Sequence, residues 1–455
     1  MQRLRRKTRA SLMRILLTAN ASYVPPRGGA TRSNLIWLQL LAAAGHNCRI
    51  VAASLANDPL GKRAQMEHEQ IHAIPLTVDA QEGFEIVELG KIRVYSAADP
   101  SRRGRLLRQQ IREFEPDWVL VSSEDVGQLL LREAYTSAPG RVVYLAHTPQ
   151  LFPFGPASWH TDPQGTELVR NSAAIVAIGH YTAQYIEQYI GRRPVVIHPP
   201  IYGEGPFENY GTFDRGLITM INPCAVKGIS IFLAMAEQCP DYQFAVVPGW
   251  GTTSGDRSAM QRLPNVVTLP NVKHIKQVLR LSRVLLMPSL WYEGFGLTVM
   301  EAMLHGVPVL ASDSGGLIEA KMGTRFVLSV KQIERYEAVF DEHGLPKPVI
   351  PEQDIGPWIA ALRQLLSDRD LYEEESRTSQ ERASRFVTSI RPEAMEEFLR
   401  TLKLADGKPA HLHDKLVERP FSAAGKALES LSDEKRALLL QRLRRKASGK
   451  VGASS

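Results

Sequence analysis

Short apolar runs of four to six residues alternate with helically spaced apolar stripes along this chain, and the alternation starts twice. Runs this short, bounded by turn residues, read as buried strands, and stripes between them read as helices covering a parallel sheet. The first series opens with strand Met13–Thr18. A Pro25-Pro26-Arg27-Gly28-Gly29 loop follows, then a helix with Leu35, Leu38, Leu41 and Ala42 on one side, stopped by Gly45, and strand Cys48–Ala53. It continues through strand Trp118–Val121, a helix over Gln128–Ala134, and strand Arg141–Leu145, which runs into Ala146-His147-Thr148-Pro149. Strand Ala174–Ile178, helix Tyr181–Ile190 and strand Val195–Ile197 complete it before His198-Pro199-Pro200. Residues 201–215 hold glycines, a proline and few aliphatics, as a boundary between domains does.

The second series begins at strand Leu217–Ile221. Helix Ile229–Glu237, strands Phe244–Val247 and Val266–Leu269, and a helix over 273–281 follow. Strand Val284–Met287, helix Leu297–Leu304 and strand Val307–Ala311 come next, then helices Ile355–Leu366, Leu371–Phe386 and Ala394–Leu402. A chain of 455 residues exceeds one hydrophobic core. The pattern predicts an α/β protein of two doubly wound, Rossmann-like domains facing each other across a cleft. Their expected bounds are 13–200 and 216–390. A helical return at 391–404 and a basic, partly disordered tail at 405–455 follow.

Charge narrows the partners. Residues 1–14 carry six basic side chains and no acid, and residues 431–455 carry seven basic side chains and two acids. These ends exceed the net charge of +7, so the chain between them is mildly acidic and offers no nucleic-acid groove. Basic ends fit peripheral contact with anionic lipid or with a protein. Three widely spaced cysteines, Cys48, Cys224 and Cys239, form neither a disulfide framework nor a zinc motif and fit a cytoplasmic setting. No apolar run reaches the length of a spanning helix.

The segment Pro288–Ser312, PSLWYEGFGLTVMEAMLHGVPVLAS, carries the strongest chemical signal. Gly294 and Gly296 let backbone approach a ligand, and a helix starting near Gly296 aims free amides of Phe295, Gly296 and Leu297 at the mouth of the sheet. Parallel sheets seat ligands there, and phosphate is the natural guest. Glu301 shares the packed side of its helix with Leu297, so its carboxylate needs partners, which vicinal sugar hydroxyls would supply. In Asn222-Pro223-Cys224-Ala225-Val226-Lys227-Gly228, Lys227 stands at a strand-to-helix junction where a fixed charge meets phosphate. Gly315-Gly316 is a further close-approach site, and Gly28-Gly29 reads equally as a turn or a substrate contact. His147, at a strand end, suits a hydrogen bond to a substrate oxygen. Gly179-His180 and His198 also lie at strand ends, without an evident partner. No metal-ligand spacing is recognised, and P-loop, H-E-x-x-H and G-x-S-x-G motifs are missing from the sequence.

The Glu-x7-Glu spacing of Glu293 and Glu301 in this setting resembles the signature of the retaining nucleotide-sugar glycosyltransferases of family 4, which have the GT-B fold. The similarity runs over about residues 13–403. It includes GGATRSNLIWLQLLAAAGH (28–46), His147, NPCAVKG (222–228) and SGG (314–316). The resemblance implies that the second domain holds a nucleotide-sugar and the first the acceptor; a UDP-, GDP-, ADP- or TDP-linked donor and a small-molecule or lipid acceptor are expected, with no cofactor and, since no ligand spacing is recognised, no metal. It implies that Glu301 binds ribose, Glu293 lies beside the transferred sugar, and Lys227 and the amides of Phe295–Leu297 neutralise the diphosphate. His147 would contact the sugar, and Gly29 would lie near the phosphates. The family often carries arginine where this chain has Asn222, which leaves one fixed charge fewer. It also implies that the last helices cross back to the first domain. The stretch LSDEKRALLLQRLRRK (431–446) resembles segments near docking regions of peptide- and polyketide-assembly enzymes. That implies a carrier or assembly-line partner and a specialised-metabolite acceptor. A nucleotide-sugar epimerase, a phosphorylase and a silent nucleotide-binding scaffold are the competing readings.

Overall fold

The computed structural model describes residues 11–404 apart from 25, 27, 55–77, 82–83 and 273, with the side chains of 78–81 also left aside. The tail at 405–455 and its partner-docking reading lie outside the described residues.

The first sheet has nine strands. They are β1 (Arg14–Thr18), β2 (Asn47–Ala53), β3 (Val78–Gln81), β4 (Phe84–Leu89), β5 (Ile92–Ala97), β6 (Trp118–Ser122), β7 (Val142–Ala146), β8 (Ala174–Ala177) and β9 (Val195–Val196). Their spatial order is β3-β4-β5-β2-β1-β6-β7-β8-β9. All pairs are parallel except β3 with β4 and β4 with β5. β6, β7 and β8 are buried along their whole length, as strands covered by helices on both faces must be.

The second sheet has six strands: β10 (Leu217–Ile221), β11 (Phe244–Val247), β12 (Val266–Thr268), β13 (Ser282–Met287), β14 (Val309–Ser312) and β15 (Val327–Leu328). Its order is β12-β11-β10-β13-β14-β15 and every pair is parallel. The strand order therefore reverses between β10 and β13. In doubly wound sheets, ligands bind at the carboxyl ends of the strands flanking that point. The loops that leave β10 and β13 carry Lys227 and Glu293.

The alternation read from the sequence is the architecture of both halves, with several differences. Gly28 and Gly29 are not a free loop but the first two residues of helix Gly28–Ala43. The helix read over 273–281 is a single turn, Lys276–Leu279. The antiparallel edge β3–β5 and the helix Pro100–Phe114 were not anticipated. Edge strand β4, FEIVEL, alternates charged with apolar residues over a half-exposed face, so it carries no continuous apolar run. The helix did have a start signal: Asp99 accepts a hydrogen bond from the Arg102 amide and Pro100 occupies the first turn. The antiparallel hairpin β16 (Tyr336–Phe340) and β17 (Pro346–Pro348) was also unread.

The helix Ala394–Thr401 returns to the first half. It buries Met395 and Leu399 in a core shared with Met13, Ile15 and Trp37. Arg400 donates to the Ser11 carbonyl at 2.9 Å, and Glu396 lies 3.1 Å from His46.

Candidate active site in the interdomain cleft

On the second domain, β10 ends at Ile221, Asn222 follows, and the chain makes a short 3-10 turn, Ala225–Lys227. Gly228 has φ +80°, and a Cβ there would fall 1.9 Å from the Pro288 carbonyl oxygen. Only glycine lets this turn lie against the loop leaving β13. That contact brings Lys227 beside Glu293. The Glu293 carboxylate is 9% exposed. One oxygen, Oε1, accepts from Lys227 Nζ at 2.5 Å, Ser289 Oγ at 2.5 Å and Trp291 Nε1 at 2.9 Å. The same ammonium sits 4.7 Å from the centre of the Trp291 ring. Three donors on one oxygen hold a largely buried ion pair in a single geometry. Removing one partner of such a pair typically costs about 3–5 kcal/mol.

The backbone of Glu293 is fixed as well. It bridges to Gly315 in parallel fashion, and its carbonyl accepts from the Gly316 amide at 2.8 Å. A Cβ on Gly315, at φ +61°, would fall 2.6 Å from that carbonyl oxygen. The next turn starts helix Leu297–Leu304 at Gly296, φ +120°, with no side chain capping the first amides. Those amides remain available to an anion. The Phe295 ring turns away from the cleft and packs on His198 and Phe386.

Glu301 lies on this helix and is 7% exposed. Its Oε1 accepts from Arg32 at 2.8 Å, across the cleft and 269 residues away in sequence. Its Oε2 is buried with no hydrogen-bond partner among the described residues. The Arg32 guanidinium is 43% exposed, so it is the movable member of the pair.

On the first domain, Gly29 faces Leu297, and a Cβ would stand 3.0 Å from the Leu297 side chain. Gly28, φ +83°, lies below the Trp250 indole. His147 follows β7 and is 3% exposed. Asn34 donates its amide to Tyr23 at 2.9 Å and to Ser122 at 3.0 Å. Its carbonyl oxygen therefore faces His147 Nε2, at 2.8 Å, and Nε2 must carry the proton. Nδ1 is left as a buried lone pair with no partner among the described residues. Burial pushes the imidazole down to about 3. His147 is thus a neutral acceptor at its free nitrogen, not the hydrogen-bond donor that the sequence reading assigned. Relative to an ordinary imidazole at 6.5, its contribution to stability is full above that value and falls as pH drops toward 3. Long-range proton–nitrogen NMR is expected to show the Nε2-H tautomer of His147 unchanged from pH 8 to pH 5. A protonation step near pH 6.5 at this ring would contradict the assignment.

The two halves meet directly beneath these groups. Gly294 lies so close to the His147 carbonyl oxygen that a Cβ would stand 1.9 Å from it. Thr182 donates to the Gly294 carbonyl at 3.1 Å. The Tyr181 amide donates to Glu319 at 3.2 Å.

The structure therefore brings together Lys227, Glu293, Phe295, Gly296, Leu297, Glu301 and Gly315 on one wall and Gly28, Gly29 and His147 on the other. Asn222 follows β10, and its buried Nδ2 has no hydrogen-bond partner among the described residues. It has φ +55°, its side-chain oxygen accepts from the Gly251 amide at 3.0 Å, and it braces the loop after β11. Arg32, Ser289, Trp291 and Asn34 were missed. Arg32 was legible in principle: it is four residues past Gly28 and shares that helix face. The structure also places His180, His198 and Glu319 together, although the two histidines showed no partner in the sequence.

Comparison with known proteins agrees with this arrangement. Residues 27–202 match the family model described as Glycosyltransferase Family 4, and residues 217–368 match Glycosyl transferases group 1. An uncharacterised glycosyltransferase of Methanocaldococcus jannaschii is 26% identical over 165 residues, 33% of this chain and 42% of its own length. The match thus spans less than half of that relative. The solved sucrose-phosphate synthase of Thermosynechococcus elongatus superposes with a TM-score of 0.62 at 16% identity, over 85% of this chain and 98% of its own. Anabaena HepE, solved with UDP and glucose, gives 0.57 at 16% identity, over 86% and 100%. With a family 4 model matching the first half, a group 1 glycosyltransferase model matching the second, and two Rossmann-like sheets closing on one cleft, the chain is a family 4-like glycosyltransferase of the GT-B fold.

Proposed function

We propose that the cleft moves a hexosyl group from a nucleotide-sugar to a hydroxyl of a small-molecule or lipid acceptor, with retention at the anomeric carbon. The observation that carries this reading is the Lys227–Glu293 pair, held at 2.5 Å at the switch point of the second sheet beside an uncapped helix start. Charge develops on the leaving diphosphate as the bond from the anomeric carbon to phosphate oxygen breaks. Lys227 and the amides at Phe295–Leu297 meet that charge without reorganising. Glu293 orients the ammonium and lies next to the sugar. The Nδ1 lone pair of His147 accepts from a sugar hydroxyl. The acceptor oxygen bonds to the anomeric carbon from the leaving-group face, and its proton passes to the departing phosphate oxygen. The UDP–glucose pair bound by the Anabaena relative makes a UDP-linked hexose the first donor to test.

The test is calorimetry with UDP, GDP, ADP and TDP, followed by a mass-spectrometric donor screen with candidate acceptors. One nucleotide is expected to bind and its sugar to appear on an acceptor with the donor's anomeric configuration. No binding would favour the scaffold reading. Nucleotide release coupled to sugar isomerisation would favour an epimerase.

In this reading Glu301 exchanges Arg32 for the ribose hydroxyls. Hydrogen bonds to a charged group contribute about 1.5–3 kcal/mol, so Glu301→Ala is expected to weaken free-nucleotide binding about 10- to 100-fold. Arg32→Ala removes a competitor for the same carboxylate and is expected to leave nucleotide affinity unchanged or modestly tighter. Equal weakening in both variants, measured by calorimetry, would show that the ion pair itself forms the nucleotide site.

A further inference from the structure

At the junction of the two halves three side chains converge. His180 opens helix His180–Ile190, His198 follows β9, and Glu319 lies on the short helix Leu317–Ala320 of the second domain. Their nearest ligand atoms all lie within 4.8 Å of one another. The His180 and His198 rings are 5.9 Å apart, centre to centre.

The protonation pattern of this cluster is set by its surroundings. His198 Nδ1 lies 3.0 Å from the Ile178 carbonyl oxygen, which can only accept, so Nδ1 carries the proton. In the neutral ring Nε2 is then a lone pair. It faces Glu319 Oε1 at 3.8 Å, beyond hydrogen-bonding range. That carboxylate oxygen is buried and has no hydrogen-bond partner among the described residues. The other oxygen, Oε2, is held in place by the Tyr181 amide. Phe295 and Phe386 pack against the His198 ring at 5.2 and 4.9 Å, which fixes its direction and keeps water from one side. The neutral ring and the carboxylate thus aim two lone pairs at the same point. The second ring, exposed, stands beside them.

We infer that His180, His198 and Glu319 form a site for a divalent transition-metal ion of the zinc class, which ties the first domain to the second. Two imidazoles and one carboxylate are a donor set that suits zinc and leaves a fourth position for water. Tetrahedral bonds of about 2.0–2.1 Å put ligand atoms about 3.3 Å apart, so the side chains need to close by only about an ångström or so from the arrangement seen here. The Ile178 carbonyl, by holding the proton on Nδ1 of His198, supplies the outer contact that metal-binding histidines commonly have. The ion would sit at the junction of the two halves, behind the Phe295 ring that packs on His198, and its role would be to hold the halves together.

The test uses the full chain stripped of metal with EDTA and dialysed. Zn²⁺ is titrated in by calorimetry, and Co²⁺ is added as a spectroscopic probe. The wild type is expected to bind one equivalent that His180→Ala loses, with visible ligand-field bands for Co²⁺ that the variant lacks. His180 is exposed, so its replacement does not endanger folding. Glu319→Gln keeps the Tyr181 contact through its amide oxygen and is expected to lower Zn²⁺ affinity at least about ten-fold. The thermal midpoint is expected to rise by several degrees with Zn²⁺ in the wild type and not in His180→Ala. Zn²⁺ binding that is identical in all three proteins, or that is missing from the wild type, overturns the site. Transfer is followed in parallel and is expected to persist in EDTA. Activity lost with EDTA and restored by Zn²⁺ would place the metal in the chemistry and overturn its role as an interdomain tie.

Discussion

Glu293→Gln is expected to fall about 100-fold or more in single-turnover sugar transfer while binding free nucleotide as tightly as the wild type, or more tightly. The substitution preserves shape, so an amide oxygen can still accept from Ser289 and Trp291, which donate to the carboxylate at 2.5 and 2.9 Å. What disappears is the charge that balances Lys227. A freed ammonium binds a ground-state diphosphate at least as well. It is no longer aimed by a fixed counter-charge when the leaving group develops its own. Preorganised donors of this kind typically contribute about 2.7–4 kcal/mol to the transition state when measured by removal. A loss confined to the transition state lowers the chemical rate and spares affinity. Lys227→Ala provides the contrast. It removes the cation itself, so both nucleotide affinity and rate are expected to fall. The paired measurement is calorimetry with the free nucleotide and rapid-quench transfer with the identified donor. A folded Glu293→Gln protein that transfers at the wild-type rate would move Glu293 out of the reacting centre.

The other large effect is purely steric. Gly294 contributes no side chain, and a methyl group placed on it would stand 1.9 Å from the His147 carbonyl oxygen and 3.3 Å from Ile178. The first of these is backbone and cannot swing aside. Gly294→Ala must therefore push the Glu293–Leu297 loop away from the end of β7. That displaces the Lys227–Glu293 pair from the wall that holds His147. Misplacing reacting groups by an ångström can cost about 100-fold, so transfer is expected to drop by at least that factor. Small-angle scattering is expected to show a more open particle. Gly255→Ala serves as the control, since its nearest foreign atom would be Thr253 Oγ1 at 3.7 Å, an ordinary contact. Gly294→Ala transferring within two-fold of the wild type would mean that the close approach of the halves is dispensable.

The sequence by itself determined five of the six strands of the second sheet, β15 being too short to show a run. Strands Leu217–Ile221 and Phe244–Val247 and helix Leu297–Leu304 were read with the bounds they have. The reason is local. Fully buried parallel strands require continuous apolar runs, and turns that approach a ligand or another chain segment require glycine. The same logic placed Glu293, Glu301 and Lys227 at the mouth of the sheet, because residues just past the carboxyl ends of such strands have nowhere else to lie.

Only the tertiary structure decided what those residues touch. Glu301 has Arg32 as partner, and the two are separated by 269 residues. The direction of the His147 lone pair depends on how Asn34 spends its own donors on Tyr23 and Ser122, contacts between three separate elements. Asn222 is left-handed and its side-chain oxygen braces the Gly251 amide, a contact with the loop after β11 that composition does not reveal. His180, His198 and Glu319 meet because helix His180–Ile190 starts where the second domain presents Leu317–Ala320. Periodicity and turn chemistry act over a few residues and are written in the chain order. Pairing across the cleft depends on how two separately folded sheets dock, and no local pattern encodes that.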